Sequence, residues 1–506
     1  MKKKAKKEKR KFSPILTITF ITLVIMIMSL IFSILGIEGQ KTVLVNANLE
    51  TSLVTVKNIF TKDGLNFLIG DAVLNFTLFE PLVILIISLI GISIGEASGL
   101  FKAIFSPLKK LNLTTMTFLT LLISLISGIL GELAYVIVLP LVGVIYKYAN
   151  KNSMLGICTA FLGITVGYGT NFIYDYDTYL LGTLTQASAT ADVDKNFVYH
   201  LLSTEFIMIA STLLICVLGT LIINRFLAPK FKKKAVAKDD LEISKKALRV
   251  SAVVFVLCVL LIVYMTIPGL PGSGLLLDHS KDEYVAQLLG TTSPFRNGII
   301  YLLTIITMIC SYIYGRISKN FKDNYSYGLG LSKGFSDLGY LFVLMFFTSQ
   351  MVAILSWTNL GEVVATRLIS FMSSLEISGI PLILSMFIVI ILIGIFIPST
   401  VAKWELAAPT LIPLFMRSNI TPNFTQFLFQ AADGIGKCIT PLFIYFIVAI
   451  GIVEKYNEDE THKVTIFGTL RKFMPSVLLF MCLWILILIG WYVIGLPMGP
   501  STYPTL

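Results

Sequence analysis

Asp433 and Lys437, in the run Asp433-Gly-Ile-Gly-Lys437, are the residues best placed to do chemistry, because the segment around them, 423–452, is otherwise largely apolar. A charge inside an apolar span costs a few kcal/mol to insert, which points to ion or substrate binding; the alternative is a lock between helices. A spacing of four lets the carboxylate pair with the ammonium across one helical turn. Glu132 and Glu405 each follow a polar break in a long apolar stretch, and Ser399 and Thr400 stand at the second break. They offer carboxylates, hydroxyls and exposed amides, although a carboxylate there can also simply cap a helix N-terminus. Trp404 suits stacking on an aromatic ligand or anchoring the segment, and Asn171 closes the run Gly167-Tyr-Gly169-Thr-Asn171. Glycines such as Gly169 and Gly436 let a helix unwind, freeing carbonyls for a cation and amides for an anion.

Catalytic and metal patterns are weak beside these. Asp175-Tyr-Asp177 has the D-x-D spacing of some membrane glycosyltransferases, and paired aspartates also serve intramembrane proteases, but the chain lacks the sizeable extracytoplasmic domain of the first and the second aspartate in a G-x-G-D context of the other, and it has no H-E-x-x-H run. His200, His279 and His462 do not cluster, and the six cysteines show no C-x-x-C spacing. The expectation is therefore no enzyme and no cofactor, with sodium or protons as candidate coupling ions and Asn171 as the candidate sodium ligand.

The elements that must hold these residues lie in lipid. Of 506 residues 56% are hydrophobic and 14% charged, with a mean hydropathy of +0.84, too little polar surface for a water-soluble globule. Spans of about 20 apolar residues are expected near 13–36, 77–100, 153–173, 199–226, 250–269, 296–315, 337–357, 423–452 and 473–495. Residues 1–12 form a basic tail before a first helix too long for a signal-peptide core, so the N-terminus is expected in the cytoplasm of a plasma-membrane protein. The net charge of +11 needs no nucleic acid, since the basic residues fall in loops on one side: Lys109 and Lys110, Lys230 to Arg249, Arg316 to Lys322, and Lys455 to Lys472. Residues 13–500 read as one transmembrane domain, and Glu96 and Asp337, near cytoplasmic helix ends, as capping or packing groups.

Two apolar stretches, 113–148 and 379–417, exceed one straight span and break at Ser127–Glu132 and at Pro398–Thr400. Non-helical backbone at membrane depth survives only against protein or a water-filled cavity, so both read as re-entrant hairpins, with kinked helix pairs as the alternative. Their return arms match: ELAYVIVLPL from Glu132 and ELAAPTLIPL from Glu405. Each is followed by a glycine-interrupted helix, with Thr440-Pro441 beyond the second. The fold class expected is an all-α polytopic membrane protein with nine transmembrane helices plus two re-entrant helical hairpins in an inverted repeat, the plan of secondary transporters with a midplane site. Hairpins with charged tips favour an occluding carrier over a channel.

The runs GISIGEASGL (91–100), GELAYVIVLPL (131–141), FLGITVGYGTN (161–171), KGFSDLGYLFVLMFFTSQMVAILSWTNLG (333–361), AKWELAAPTLIPLF (402–415), AADGIGKCITPL (431–442) and GWYVIGLPMGP (490–500) resemble the p-aminobenzoyl-glutamate transporter (AbgT) family. The resemblance implies a homodimeric carrier of aryl-glutamate compounds, or an exporter of drugs such as sulfonamides, within the ion-transporter superfamily. The runner-up is a carboxylate uptake carrier of that superfamily, because a fold does not fix a substrate. Carried over by position, Trp404, Pro422, Asp433 and Pro441 resemble residues of the family's substrate and ion site. Gly394, Val401, Gln430 and Thr178 depart from the pattern, standing where it has an asparagine, a serine, an arginine and an acid. Lys437 stands where it has an asparagine, which implies a fixed ammonium in place of one bound sodium.

Overall fold

The computed structural model describes residues 12–45, 48–231, 241–336, 338–457 and 463–506, so the basic residues 1–11, Asp337 and His462 lie outside it. Among the described residues nine helices are long and apolar enough to cross a membrane: Pro14–Ile34, Glu80–Ala97, Leu113–Leu130, Glu205–Lys230, Lys245–Thr266, Pro294–Ile317, Gly339–Trp357, Gly379–Phe396 and Ile466–Ile494. Seven are spans expected from sequence; Leu113–Leu130 and Gly379–Phe396 are the first arms of the two helix–turn–helix stretches expected as hairpins, and each is by length and composition also long enough to cross.

Both breaks have local causes. In the first hairpin, helix Leu113–Ile126 passes through a tight turn at Ser127–Leu130 to Gly131, whose φ of +58° disfavours a side chain, and restarts as Leu133–Tyr148. In the second, Pro398 excludes its predecessor from helical geometry, so Ile397 is extended and ends helix Gly379–Phe396. Ser399 then accepts a hydrogen bond from the Ala402 amide (3.4 Å) and starts helix Thr400–Arg417.

The repeat is visible in the packing. Helix Ser153–Val166 packs against both arms of the first hairpin, and helix Pro422–Ile439 against both arms of the second. The return arms are exchanged: Leu133–Tyr148 packs on Ile444–Lys455 of the second repeat, and Thr400–Arg417 on Tyr176–Asp192 of the first. Glu96, on the flanking helix Glu80–Ala97, pairs with Lys147 of the first return arm (2.8 Å), a packing role.

Two expected spans are corrected. The segment 153–173 is helical only to Val166, at 14 residues about 21 Å long; an irregular stretch precedes helix Tyr176–Asp192, whose Thr, Ser and Ala content hid it from a hydropathy reading. The segment 423–452 is two helices, Pro422–Ile439 and Ile444–Lys455, bent by 45°. The bend does not fall at Gly434 and Gly436, which lie inside the first helix; it falls at Thr440–Pro441, where proline removes an amide donor. The two glycines permit close packing instead: a Cβ on Gly434 would sit 2.2 Å from the Thr165 carbonyl oxygen, and one on Gly436 3.3 Å from Ile391 Cα. Sequence reasoning also missed the antiparallel strand pair Glu38–Val45 and Asn48–Thr55 and the helix Leu360–Ser373 on which it rests.

Candidate functional site

Asp433, on the helix between the arms of the second hairpin, is wholly buried and takes three donors. The Thr400 hydroxyl, at the second hairpin tip, donates to its Oδ2 at 2.6 Å, the Lys403 ammonium donates to Oδ1, and Lys437 Nζ stands 3.4 Å from Oδ2. Lys437 also reaches across to the first hairpin tip, donating to Glu132 Oε1 at 3.2 Å. Its ammonium lies 4.3 Å from the centroid of the Tyr168 ring and 5.2 Å from that of Phe443, where ring quadrupoles favour a cation. Two ammonium groups and two carboxylates thus alternate as Lys403, Asp433, Lys437, Glu132, and the chain of charge is formally neutral. Buried charges are tolerable only when paired and hydrogen-bonded in this way.

The chain of charge opens to space at one end. Lys403 and Lys437 are 1% exposed, whereas the Glu132 side chain is 31% exposed. It lines a cavity of about 350 Å³ between the hairpin tips, together with Ser399, Thr400, Asp177, Arg296 and Tyr445. Glu80, Tyr176 and Val401 also face this space. A second cavity, of about 260 Å³, shares Glu132, Ser399 and Tyr445 with the first and adds Glu405, Glu362 and Lys41.

The structure therefore brings together Glu132, Ser399, Thr400, Asp433 and Lys437. Glu132 makes no side-chain cap bond to its own helix, so it faces Lys437 instead of capping. Glu405 is exposed in the second cavity, and among the described residues it makes no ion pair. Trp404 is an anchor: fully buried, its Nε1 donates to the Leu181 carbonyl (3.2 Å) and the Thr185 hydroxyl (3.0 Å), and its ring packs on Phe429. Pro441 forms the bend below Lys437, beside Thr440, whose hydroxyl donates to the Ile395 carbonyl. Pro422 opens its helix eleven residues before Asp433, about 16 Å along the axis, at Thr421, which is tied to the C-terminal residues Tyr503 and Pro504.

Asn171 braces the first hairpin. Its Nδ2 donates to the Ile126 carbonyl (3.3 Å) and its Oδ1 accepts from the Phe172 amide (2.8 Å), so the carbonyl expected to ligate sodium already has a local partner. Gly169, with φ +80°, brings that loop against Gln430, and Gly436 packs on the second hairpin as described. The D-x-D pair does not converge: Asp175 caps its helix by accepting from the Thr178 amide (2.7 Å), while Asp177 accepts from the Tyr168 hydroxyl (3.1 Å) beside the cavity.

Lys403 and Arg296 escaped the sequence reading. Lys403 had a signal, an ammonium three residues inside the return arm with apolar neighbours; Arg296, at a helix start, looks like any interfacial arginine. Its guanidinium lies 3.3 Å from the Tyr176 ring centroid. The departures from the family pattern also meet in space. Gln430 Nε2 donates to the Thr178 hydroxyl (2.9 Å), so a neutral hydrogen bond joins two positions where the pattern has charges. A Cβ on Gly394 would lie 3.8 Å from Lys403 Nζ, so the ammonium stands beside the space a larger side chain would enter.

A family model described as "AbgT putative transporter family" matches residues 10–506. The chain belongs to the AbgT family of transporters. The p-aminobenzoyl-glutamate transport protein of Escherichia coli (strain K12) is 26% identical over 500 residues, covering 97% of this chain and 94% of that protein. The Alcanivorax borkumensis YdaH transporter shares the fold, with a TM-score of 0.50 and 24% identity over 97% of this chain and all of that one. Neisseria gonorrhoeae MtrF, described as illuminating a class of antimetabolite efflux pumps, aligns with a TM-score of 0.49 and 26% identity over 98% of each chain. An AbgT chain is a membrane transporter, not an enzyme, which settles the reading of Asp175 and Asp177 against catalysis.

Proposed function

We propose that this AbgT chain is a secondary active carrier of a small organic anion resembling p-aminobenzoyl-glutamate, binding it in the cavity between two re-entrant hairpin tips. The observation that carries the reading is the buried chain of charge joining both tips, with its Glu132 end open to that cavity. Arg296 and the N-terminal amides of helix Thr400–Arg417 add positive potential to a space that Glu80, Asp177 and Glu132 also line, and Tyr176 and Tyr445 supply aromatic walls. The Lys437 ammonium fills the place between Asp433 and Glu132 that a bound cation would otherwise take, so the carrier works without sodium and the proton gradient is the cation gradient that drives it.

Purified protein in liposomes tests this. Uptake of radiolabelled p-aminobenzoyl-glutamate is expected to saturate, to show counterflow, to leave the solute chemically unchanged, and to persist when potassium replaces sodium. Non-saturating flux would mean a channel, and no flux of this compound in either direction would remove the substrate assignment.

A further inference from the structure

Resting on that reading of the site, we propose that Glu132 is the internal occupant of an anion subsite centred on Lys437, and that the carboxylate of a transported molecule displaces it. Lys437 has two carboxylate partners of unequal standing. Asp433 is fully buried and held by Lys403 and Thr400 as well as by Lys437. Glu132 is partly exposed, makes no cap bond, and among the described residues is held by Lys437 alone, at 3.2 Å. It also follows Gly131, whose φ of +58° disfavours any side chain and whose backbone packs against the Asp177 carboxylate, a like charge that gives Glu132 no competing partner. Glu132 is therefore the partner that can leave.

Its departure has a condition. Lys437 is 1% exposed, so losing Glu132 without replacement leaves a buried ammonium with one carboxylate already shared among three donors. A ligand carboxylate entering from the cavity restores the pairing and frees the first hairpin tip from the helix of the second repeat. Specificity for carboxylate-bearing substrates and release of the tip are then one event, because a neutral molecule cannot take the place of Glu132.

Thermal unfolding of the purified full chain, with benzoate or glutarate against matched chloride, reads this out without any transport step. Glu132→Ala and Glu132→Gln are expected to gain at least about 2 °C more from benzoate than the wild type does, and Glu132→Ala/Lys437→Gln is expected to gain nothing. The glutamine variant keeps the side-chain volume and serves if the alanine variant does not fold. Equal shifts in the wild type and both single variants, or an undiminished shift in the double variant, would overturn the subsite. Liposomes that fail to move p-aminobenzoyl-glutamate would count against the transport reading alone, since benzoate binding is measured separately.

Discussion

Asp433→Asn is expected to abolish uptake and to destabilise the purified protein by about 3–5 kcal/mol, the range for removing one partner of a buried ion pair. The carboxylate is the hinge of the charge chain, since Lys403 and Lys437 are both buried and both depend on it. Asparagine keeps the volume and can still accept from Thr400, but it offers two ammonium groups only a neutral carbonyl. The loss should be smaller in the double variant Asp433→Asn/Lys403→Met, which removes one stranded charge. Denaturation of both single variants and the double variant gives the coupling energy between the residues, expected to be clearly non-additive because they touch. Transport should not return with stability, because the carboxylate that orients Lys437 is still missing. A double variant no more stable than Asp433→Asn would mean that Lys403 does not depend on Asp433.

The second large effect is a change in ion requirement. Lys437→Asn removes the ammonium that stands 3.4 Å from Asp433 and 3.2 Å from Glu132 and leaves a shorter amide, so the two carboxylates face each other with no lysine between them and Lys403 still on the far side of Asp433. An amide carbonyl beside two carboxylates is a donor set suited to a hard monovalent cation. Uptake by the variant is expected to become sodium-dependent, rising at least about fivefold when sodium replaces potassium, the lower end of ordinary coupling between two ligands. The wild type should show no such rise. Initial rates in liposomes with choline, potassium or sodium outside measure this directly. Unchanged uptake in the variant, with unchanged ion dependence, would show that Lys437 does not occupy a cation position.

Much of this site is legible in the sequence, for physical reasons. The hairpin turns announce themselves because polar residues and a proline interrupt apolar runs where lipid tolerates no free backbone. Asp433 and Lys437 stand out because their spacing and their cost in an apolar segment both demand a partner. The partner across the repeat, Glu132, was singled out as a turn residue, but its pairing with Lys437 is a tertiary fact that no local pattern encodes. Lys403 lies three residues beyond Thr400, between the break at Pro398–Thr400 and the return arm that the repeat marks from Glu405, and neither pattern points to it. The glycines at 434 and 436 misled, because glycine serves unwinding and close packing equally well, and only the neighbouring Thr165 carbonyl and Ile391 backbone decide between them. Helix Tyr176–Asp192 and the strands Glu38–Val45 and Asn48–Thr55 escape a hydropathy reading, because polar residues interrupt their apolar ones too often to make a long apolar run. The exchange of return arms between repeats likewise exists only in three dimensions.

The proposed mechanism requires two hairpin tips inside the membrane around a shared cavity. The most direct measurement is the labelling of single cysteines at Glu132 and Ser399 with a membrane-impermeant thiol reagent, in a background without the native cysteines. Ser280, on the exposed loop before helix Pro294–Ile317, is the reference. Positions 132 and 399 are predicted to react far more slowly than 280 and to be protected together by p-aminobenzoyl-glutamate. Labelling of both as fast as position 280, with no protection, would place the tips on open surface and contradict the account.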